Sequence, residues 1–380
     1  MKMHVCLVSG QPVPNVLPVL LERPEKVALL VTPEMQEQAE RLKNIFRARA
    51  IQISVYEIPA YDFAGALDAC DAVVQQSQAD ELTLNVTGGT KITALAAYQQ
   101  FYFGGKRVIY MDTEHEQLLE LGDQPTAMPV RQNLLDVKLC LACYGKRFNE
   151  AGTRSKIDTA RRRKAATEKL CRLFLNNPDM LRACNRQLNE YDKKEPPFFL
   201  YVNNLPGPGT ELFDLLVQEG IAVPSGADTL CLQSEAARFY LNGGWLEEYV
   251  FNLIKGLSIN GLDCLLNVNF EWQIQRAASK KKKTENELDV VFSCNNRLHI
   301  ISCKTSSLDI LKNAGKDALH ELDSMKANVG GLFARPLLVS VHPLKDADFR
   351  RAQNLKIPVV SGNNILHLQE RLQQEWGIGR

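Results

Sequence analysis

No apolar run in this 380-residue chain reaches the roughly 18 residues that a membrane-spanning helix needs. The opening residues, MKMHVCLVSG, also lack the long apolar region and small-residue cleavage site of a secretory leader. A cytoplasmic protein with no membrane partner is the expectation. Excess charge of one sign is missing too. The formal net charge is +1, so overall charge does not announce a nucleic-acid partner. Cysteine is present at 10 residues, but a zinc-finger pattern is not. Cys140 and Cys143 form the one CxxC, and no second pair follows at finger spacing. Most other cysteines, such as Cys6, Cys171, Cys231 and Cys264, sit in apolar runs and read as small buried hydrophobes. The GxxxxGK[ST] spacing of a P-loop is absent as well.

What remains is an ordinary globular composition, 45% hydrophobic and 23% charged, in a chain long enough for two or three domains. Residues 1–130 alternate between strand-like and helix-like segments. His4 to Ser9, Val27 to Thr32, Ile51 to Ile58, Glu81 to Val86 and Val108 to Met111 read as strands. The stretches 33–50, 62–76 and 92–103 read as helices, the first with acids early and bases late. This alternation predicts an α/β unit with a mostly parallel sheet, whose ligands bind outside the carboxyl ends of the strands.

The segment Asn85-Val86-Thr87-Gly88-Gly89-Thr90-Lys91 stands at such an end, just before a helix. Two glycines allow a tight turn and a close backbone approach. Thr87 and Thr90 offer hydroxyls, Lys91 a cation, and the helix start free N–H groups for an anion. The plainer reading is a strand-to-helix turn capped by Thr90. Ser9, Gly10 and Gln11, Thr32, and Asp112 and Thr113 end other strands and complete a polar rim suited to a phosphate-bearing ligand.

Residues 131–205 are charged and helix-rich. The basic cluster Arg161 to Lys164 reads as a solvated face. A helix at 211–219, a hairpin around Pro224-Ser225-Gly226 and a further helix from Ser234 suggest a small winged-helix-like connector, read as a spacer because it carries few bases. From Gly244 a third unit begins. The helix Trp245 to Leu257 carries Glu247 on its apolar face and Glu248 beside it, and a buried acid needs a partner. The strand 265–275 and a polar stretch containing Lys280, Lys281, Lys282 and Lys283 follow. Next comes a hairpin with Glu287 and Asp289 at the start of one strand and Ser302, Cys303 and Lys304 at the end of the other, turning at Asn295-Asn296. In an antiparallel pair those ends are neighbours, so an acid and a lysine converge at one sheet edge. Two or three oxygen ligands there would hold Mg²⁺ or Mn²⁺ against a phosphodiester, with lysine assisting the attacking water. An ordinary Asp–Lys ion pair is the alternative.

Asp289, the short hairpin and Ser302-Cys303-Lys304 resemble the PD-(D/E)xK nuclease motif, with Glu247 or Glu248 matching the acid of its first helix. The N-terminal half, through Thr87 to Lys91, resembles a CARF domain. The whole order resembles the cyclic-oligoadenylate-activated nucleases of type III CRISPR systems. The resemblance implies a Rossmann-like CARF sensor at 1–130, a helical and winged-helix-like linker at 131–242 and a restriction-endonuclease-like domain at 243–380. It implies a homodimer whose rim residues bind a cyclic oligoadenylate, the tetra-adenylate first, in antiviral defence. It implies an endonuclease on DNA, with RNA left open. Metal would be held by Asp289, one of Glu247 and Glu248, and the Cys303 carbonyl. Asp289, Lys304, Glu247 and Glu287 would act in catalysis, and Lys280 to Lys283 would grip the phosphate backbone. Ser302 departs from the pattern, which usually has an acid two residues before the lysine. That departure keeps a second reading open, a weakened nucleotide-responsive regulator that binds nucleic acid. A third is a restriction or repair nuclease whose Rossmann-like half binds a mononucleotide.

Overall fold

The structure is a computed structural model that describes residues 1–77, 81–130, 133–191, 194–259, 261–272 and 286–376. Lys280 to Lys283 lie outside the described residues. Among those described, the strands form three sheets.

The first sheet is built from β1 (Lys2–Leu7), β2 (Lys26–Val31), β3 (Gln52–Glu57), β4 (Glu81–Asn85), β5 (Arg107–Asp112), β6 (Gln117–Glu120) and β7 (Thr126–Pro129). Their order is β3-β2-β1-β4-β5-β6-β7, with the first five parallel and the last two antiparallel. Helices α1 (Val13–Glu22), α2 (Gln36–Arg47), α3 (Phe63–Gln76) and α4 (Lys91–Phe103) make the crossovers. Alternation along the strands explains the two layers. Val5 and Leu7 share a core with Ala66, Ala96 and Phe101 of α3 and α4, whereas Cys6 and Leu29 join Val16, Leu42 and Phe46 of α1 and α2. The expected Rossmann-like order is present. The sequence reading assigned no helix to residues 13–22, where Pro14 and Pro18 obscure the pattern of α1. A proline in the first helical turn costs no hydrogen bond, and Pro14 stands there.

The middle runs through α5 (Val137–Cys143), β8 (Lys146–Phe148), α6 (Glu150–Arg162), α7 (Lys164–Asn176) and α8 (Pro178–Asn189), then β9 (Phe198–Tyr201), α9 (Gly209–Gln218), β10 (Val223–Pro224), β11 (Thr229–Leu232) and α10 (Glu235–Phe239). Antiparallel strands in the order β10-β11-β9 form a small sheet beside these helices, including the anticipated hairpin. Its third strand comes from a Pro-containing stretch that carried no strand signal.

The third unit contains α11 (Trp245–Lys255), β12 (Asp263–Trp272), β13 (Asn286–Cys294), β14 (Arg297–Lys304), α12 (Ala314–Val329), β15 (Ala334–Ser340), α13 (Asp346–Asn354), β16 (Val359–Ser361) and α14 (Leu368–Trp376). Its sheet runs β16-β15-β14-β13-β12-β8, so a linker strand forms one edge. The β13–β14 hairpin turns at Asn295 and Asn296, both in the left-handed region that asparagine tolerates. Segment 133–148 is sewn onto this sheet. Asn296 accepts from the Leu134 amide at 2.8 Å and Asp263 from the Val137 amide at 2.8 Å. Cys140 and Cys143 are buried on α5, in the core between sensor and third unit.

Candidate functional site

Two sites take shape, one at each end of the chain. At the first, the carboxyl ends of β1, β2, β4 and β5 stand side by side, as parallel register requires. The Gly-Gly-Thr turn presses onto the end of β1. A Cβ on Gly88 would lie 2.0 Å from the Leu7 carbonyl oxygen, and Gly89 has φ +78°. Thr90 caps α4, its hydroxyl accepting from the Thr93 amide at 3.1 Å and donating to Ala60 O at 2.6 Å. Thr87 is spent inward: its hydroxyl donates to Asn85 Oδ1 at 2.6 Å and accepts from the Met111 amide at 2.7 Å. Asn85 in turn donates to Pro14 O, and Asn15 to Leu7 O. These two buried asparagines fix the rim; Asn85 opens the segment singled out in the sequence, whereas nothing there pointed to Asn15.

Ser9 and Gln11 bond to each other across the β1 loop. Lys91 is exposed, and Thr32 is buried at the end of β2. The Asp112 carboxylate accepts from the amides of Glu114 and His115, the His115 ring and the Gln117 side chain. Burial opposes its charge, but those donors prevail and hold its pKa at about 2. A cleft of about 730 Å³ opens at the other end of the strands. Its charges are paired with one another: Glu22 with His4 and Arg107 at 2.8 Å each, and Arg107 with Glu120 at 2.7 Å.

At the second site, β13 and β14 hold together as far as Val290 and Ile301. Just beyond, Asp289 Oδ2 accepts from the Cys303 amide at 2.7 Å and from Ser302 Oγ at 3.3 Å. Asp289, Ser302 and Lys304 line one cleft with Glu287 and Glu321, and Lys304 also lines an adjoining cleft of about 200 Å³ with Glu247. The chain reaches Glu247 through a break in the helical path at Gly243, which packs on Thr305 next to Lys304. Asp289, Lys304 and Glu247 therefore converge. Glu247 Oε2 is closed off from solvent and has no hydrogen-bond partner among the described residues. Burial, then the charges of Asp289 and Glu287, push the Glu247 pKa up to about 8 against the Asn267 hydrogen bond and Lys304. Asp289 is likewise raised, by burial first, against Lys304 and the Cys303 amide. For Lys304 burial works the other way, but Asp289 and Glu321 outweigh it and its pKa is raised.

The remaining acids separate. Glu248, an expected metal ligand, faces the other way. Its carboxylate is bound by both Nε (2.7 Å) and Nη2 of Arg163, whose guanidinium stacks 3.8 Å over the Tyr240 ring. Of the adjacent acids, the geometry brings Glu247 to the cleft and commits Glu248 to an ion pair. The basic cluster is thus no uniform solvated face, since Arg163 turns inward. Glu287 reaches the cleft but is paired with Lys156 at 3.1 Å. The Cys303 thiol is buried and its pKa pushed up by burial, which leaves its backbone as the only plausible donor. Sequence reasoning missed Asn267. It lies in β12 opposite Asp289, between the pairs Leu266–Val290 and Val268–Leu288, with φ +49°. Its side chain lies close enough to Glu247 to favour the charged carboxylate, and its carbonyl accepts from Lys156 Nζ at 2.8 Å.

Direct hydrogen bonds join the sensor side to the third unit. Tyr144 Oη donates to the Gly330 carbonyl at 2.7 Å, just past α12, and lies 3.1 Å from Gln11 Oε1. Arg297, at the start of β14, donates to Glu116 at 2.7 Å and to Thr113 O at 2.6 Å.

Among the described residues, no three His, Cys, Asp or Glu side chains are grouped to hold a metal ion. Asp289 and Glu247 both approach Lys304, and Glu247 carries an orphaned buried oxygen. This all-oxygen set suits a hard divalent cation completed by a carbonyl and water. No helix among the described residues is long and apolar enough to cross a membrane.

Comparisons with known proteins follow this division. The family model described as the Card1 CARF domain matches residues 3–144, and the one described as the Card1-like endonuclease domain matches residues 233–378. No curated protein sequence matches the chain. Among solved structures, the chain is similar to Can2 from Sulfobacillus thermosulfidooxidans, determined in complex with cyclic tetra-adenylate. Identity is 28%, coverage 98% of each chain and TM-score 0.73. Protein VC1899 from Vibrio cholerae matches at 24% identity over 100% of this chain and 99% of its own, with TM-score 0.78. A type III CRISPR defence DNA nuclease activated by cyclic oligoadenylate matches at 20% identity over 90% of this chain and 45% of its own, with TM-score 0.52. The last two likenesses speak for the fold alone.

Proposed function

From a chain that joins a Card1 CARF domain to a Card1-like endonuclease domain, we propose a metal-dependent endonuclease of CRISPR defence, switched on by a cyclic oligoadenylate. The observation that carries the nuclease half is the approach of Asp289 and Glu247 to Lys304 from two adjoining clefts that share that lysine. The activator half is supported by the rim around Gly88 and by the likeness to Can2, which was determined with cyclic tetra-adenylate. That ring is the activator we assign, bound by Ser9, Gly10, Gln11, Thr32, Thr90, Lys91 and the Asp112–Thr113 turn. Thr87 shapes the loop from within. Two sensors would share one ring. Tyr61 and Leu95, apolar and exposed beside the loop, offer surface for a second copy to cover.

Asp289 and Glu247 would hold Mn²⁺ or Mg²⁺, with the Cys303 carbonyl as a third donor. When bound, such an ion supplies Lewis acidity toward the scissile phosphate. The chain's own residues do the rest. The Cys303 amide and Ser302 hydroxyl fix the Asp289 carboxylate through Oδ2. Asn267 orients Glu247. The Lys304 ammonium faces the phosphate and offsets charge as water attacks, leaving a 5′-phosphate. DNA is the first substrate to test, and RNA the second. Lys280 to Lys283 would add phosphate contacts.

Ser302 favours a second reading, a weakened enzyme acting as a nucleotide-responsive regulator. One experiment separates them. Purified protein is titrated with cyclic tetra-adenylate and assayed with Mn²⁺ on single-stranded and supercoiled DNA and on RNA. One ring per two chains and ring-dependent cleavage support the proposal. Binding without cleavage under any divalent cation supports the regulator.

A further inference from the structure

Position 302 holds serine where the resembling nucleases usually hold an acid, so β14 brings an ammonium to the cleft with no carboxylate of its own. The structure shows another source of charge. Helix α12 lies over the sheet with Ala318, Leu319 and Leu322 buried, which sets its rotation. Glu321 then projects at the cleft, where its Oε2 lies 3.3 Å from Lys304 Nζ, among the same lining residues as Asp289 and Ser302. Neither the hairpin nor the motif spacing points to it, since it stands 17 residues beyond the lysine.

We propose that Glu321 makes good the carboxylate missing at position 302, as a positioning residue acting through Lys304. Left alone, the ammonium competes with a cation for Asp289 and Glu247. Paired with Glu321, it is held at the cleft mouth and leaves those carboxylates to the ion. Because the Glu321 side chain is 62% exposed, solvent screens the pair and its effect is several-fold rather than absolute.

This inference rests on the metal-dependent reading. Its test is calorimetric Mn²⁺ titration of the full chain as wild type, Glu321→Gln, Ser302→Glu and the double variant. Thermal melts serve as the folding control, alongside kcat and KM for DNA cleavage. Glu321→Gln is expected to weaken Mn²⁺ binding about three- to tenfold and to lower kcat more than it raises KM. Ser302→Glu is expected to restore both in that background and to raise them less in the wild-type background, a non-additivity that a packing role for Glu321 would not give. Unchanged Mn²⁺ affinity in Glu321→Gln, or no recovery in the double variant, overturns the inference and leaves the nuclease reading standing. A wild type that binds no Mn²⁺ overturns the metal-dependent reading itself, and this inference with it.

Discussion

Gln11 and Tyr144 meet 3.1 Å apart, where the rim of one domain touches the end of a helix belonging to another. The same hydroxyl donates to Gly330 O, and the Leu332 amide approaches Gln11 Oε1 at 3.4 Å. Gln11, which we propose touches the activator, is thus bonded just past the end of α12, whose Glu321 bonds Lys304. Removing the hydroxyl should loosen that connection at a cost near 1 kcal/mol in stability. Tyr144→Phe is expected to keep cyclic tetra-adenylate affinity within about twofold. It should lower the cleavage rate at saturating activator several-fold, read by calorimetry beside a single-turnover assay. Equal loss of affinity and rate would assign Tyr144 to binding instead.

Two glycines of the rim should behave oppositely. An added Cβ at Gly88 meets the Leu7 carbonyl at 2.0 Å, whereas one at Gly10 meets nothing within 4 Å. Gly88→Ala is expected to cost about 3 kcal/mol and abolish activator binding. Gly10→Ala should stay within about 0.5 kcal/mol of wild type. Denaturant melts and activator titration check both.

The adjacent acids of α11 should also divide. Arg163→Ala strands the buried Glu248 carboxylate and is expected to destabilise by about 3 kcal/mol. Glu248→Gln should leave Mn²⁺ affinity unchanged, whereas Glu247→Gln should reduce it at least tenfold. Thermal melts and metal titration make the comparison.

A pH signature follows from Glu247, whose pKa stands at about 8 without metal. Between its ordinary value of 4.5 and 8, the folded state holds a proton that the unfolded state has lost. Stability of the metal-free protein from this group is therefore full below about pH 4.5 and declines as pH rises toward 8. Glu247→Gln should flatten that decline in melts taken across the range. Since a cation binds the ionised form, Mn²⁺ affinity should climb with pH over the same interval.

Much of this was legible in sequence because it is local. Val27–Val31 is a buried parallel strand by composition, Asn295-Asn296 is a turn by backbone preference, and Asp289 and Lys304 meet because hairpin ends meet. What was not legible depends on long-range pairing. Strand β8 joins a sheet whose other strands begin more than a hundred residues later. The hairpin of β6 and β7 is short and half exposed. Asn267 becomes a site residue only through a left-handed kink opposite Asp289. Glu248 was separated from Glu247 by Arg163, which lies 85 residues away in the chain.

The central claim is that Asp289 and its neighbours cleave nucleic acid only when the sensor is filled. The most direct measurement is a time course on supercoiled DNA with Mn²⁺, with and without cyclic tetra-adenylate, for wild type and Asp289→Asn. Wild type should nick only when the ring is present, and Asp289→Asn should fall at least a hundredfold while still binding the ring. Cleavage that proceeds equally without the ring, or that survives Asp289→Asn, would contradict the account.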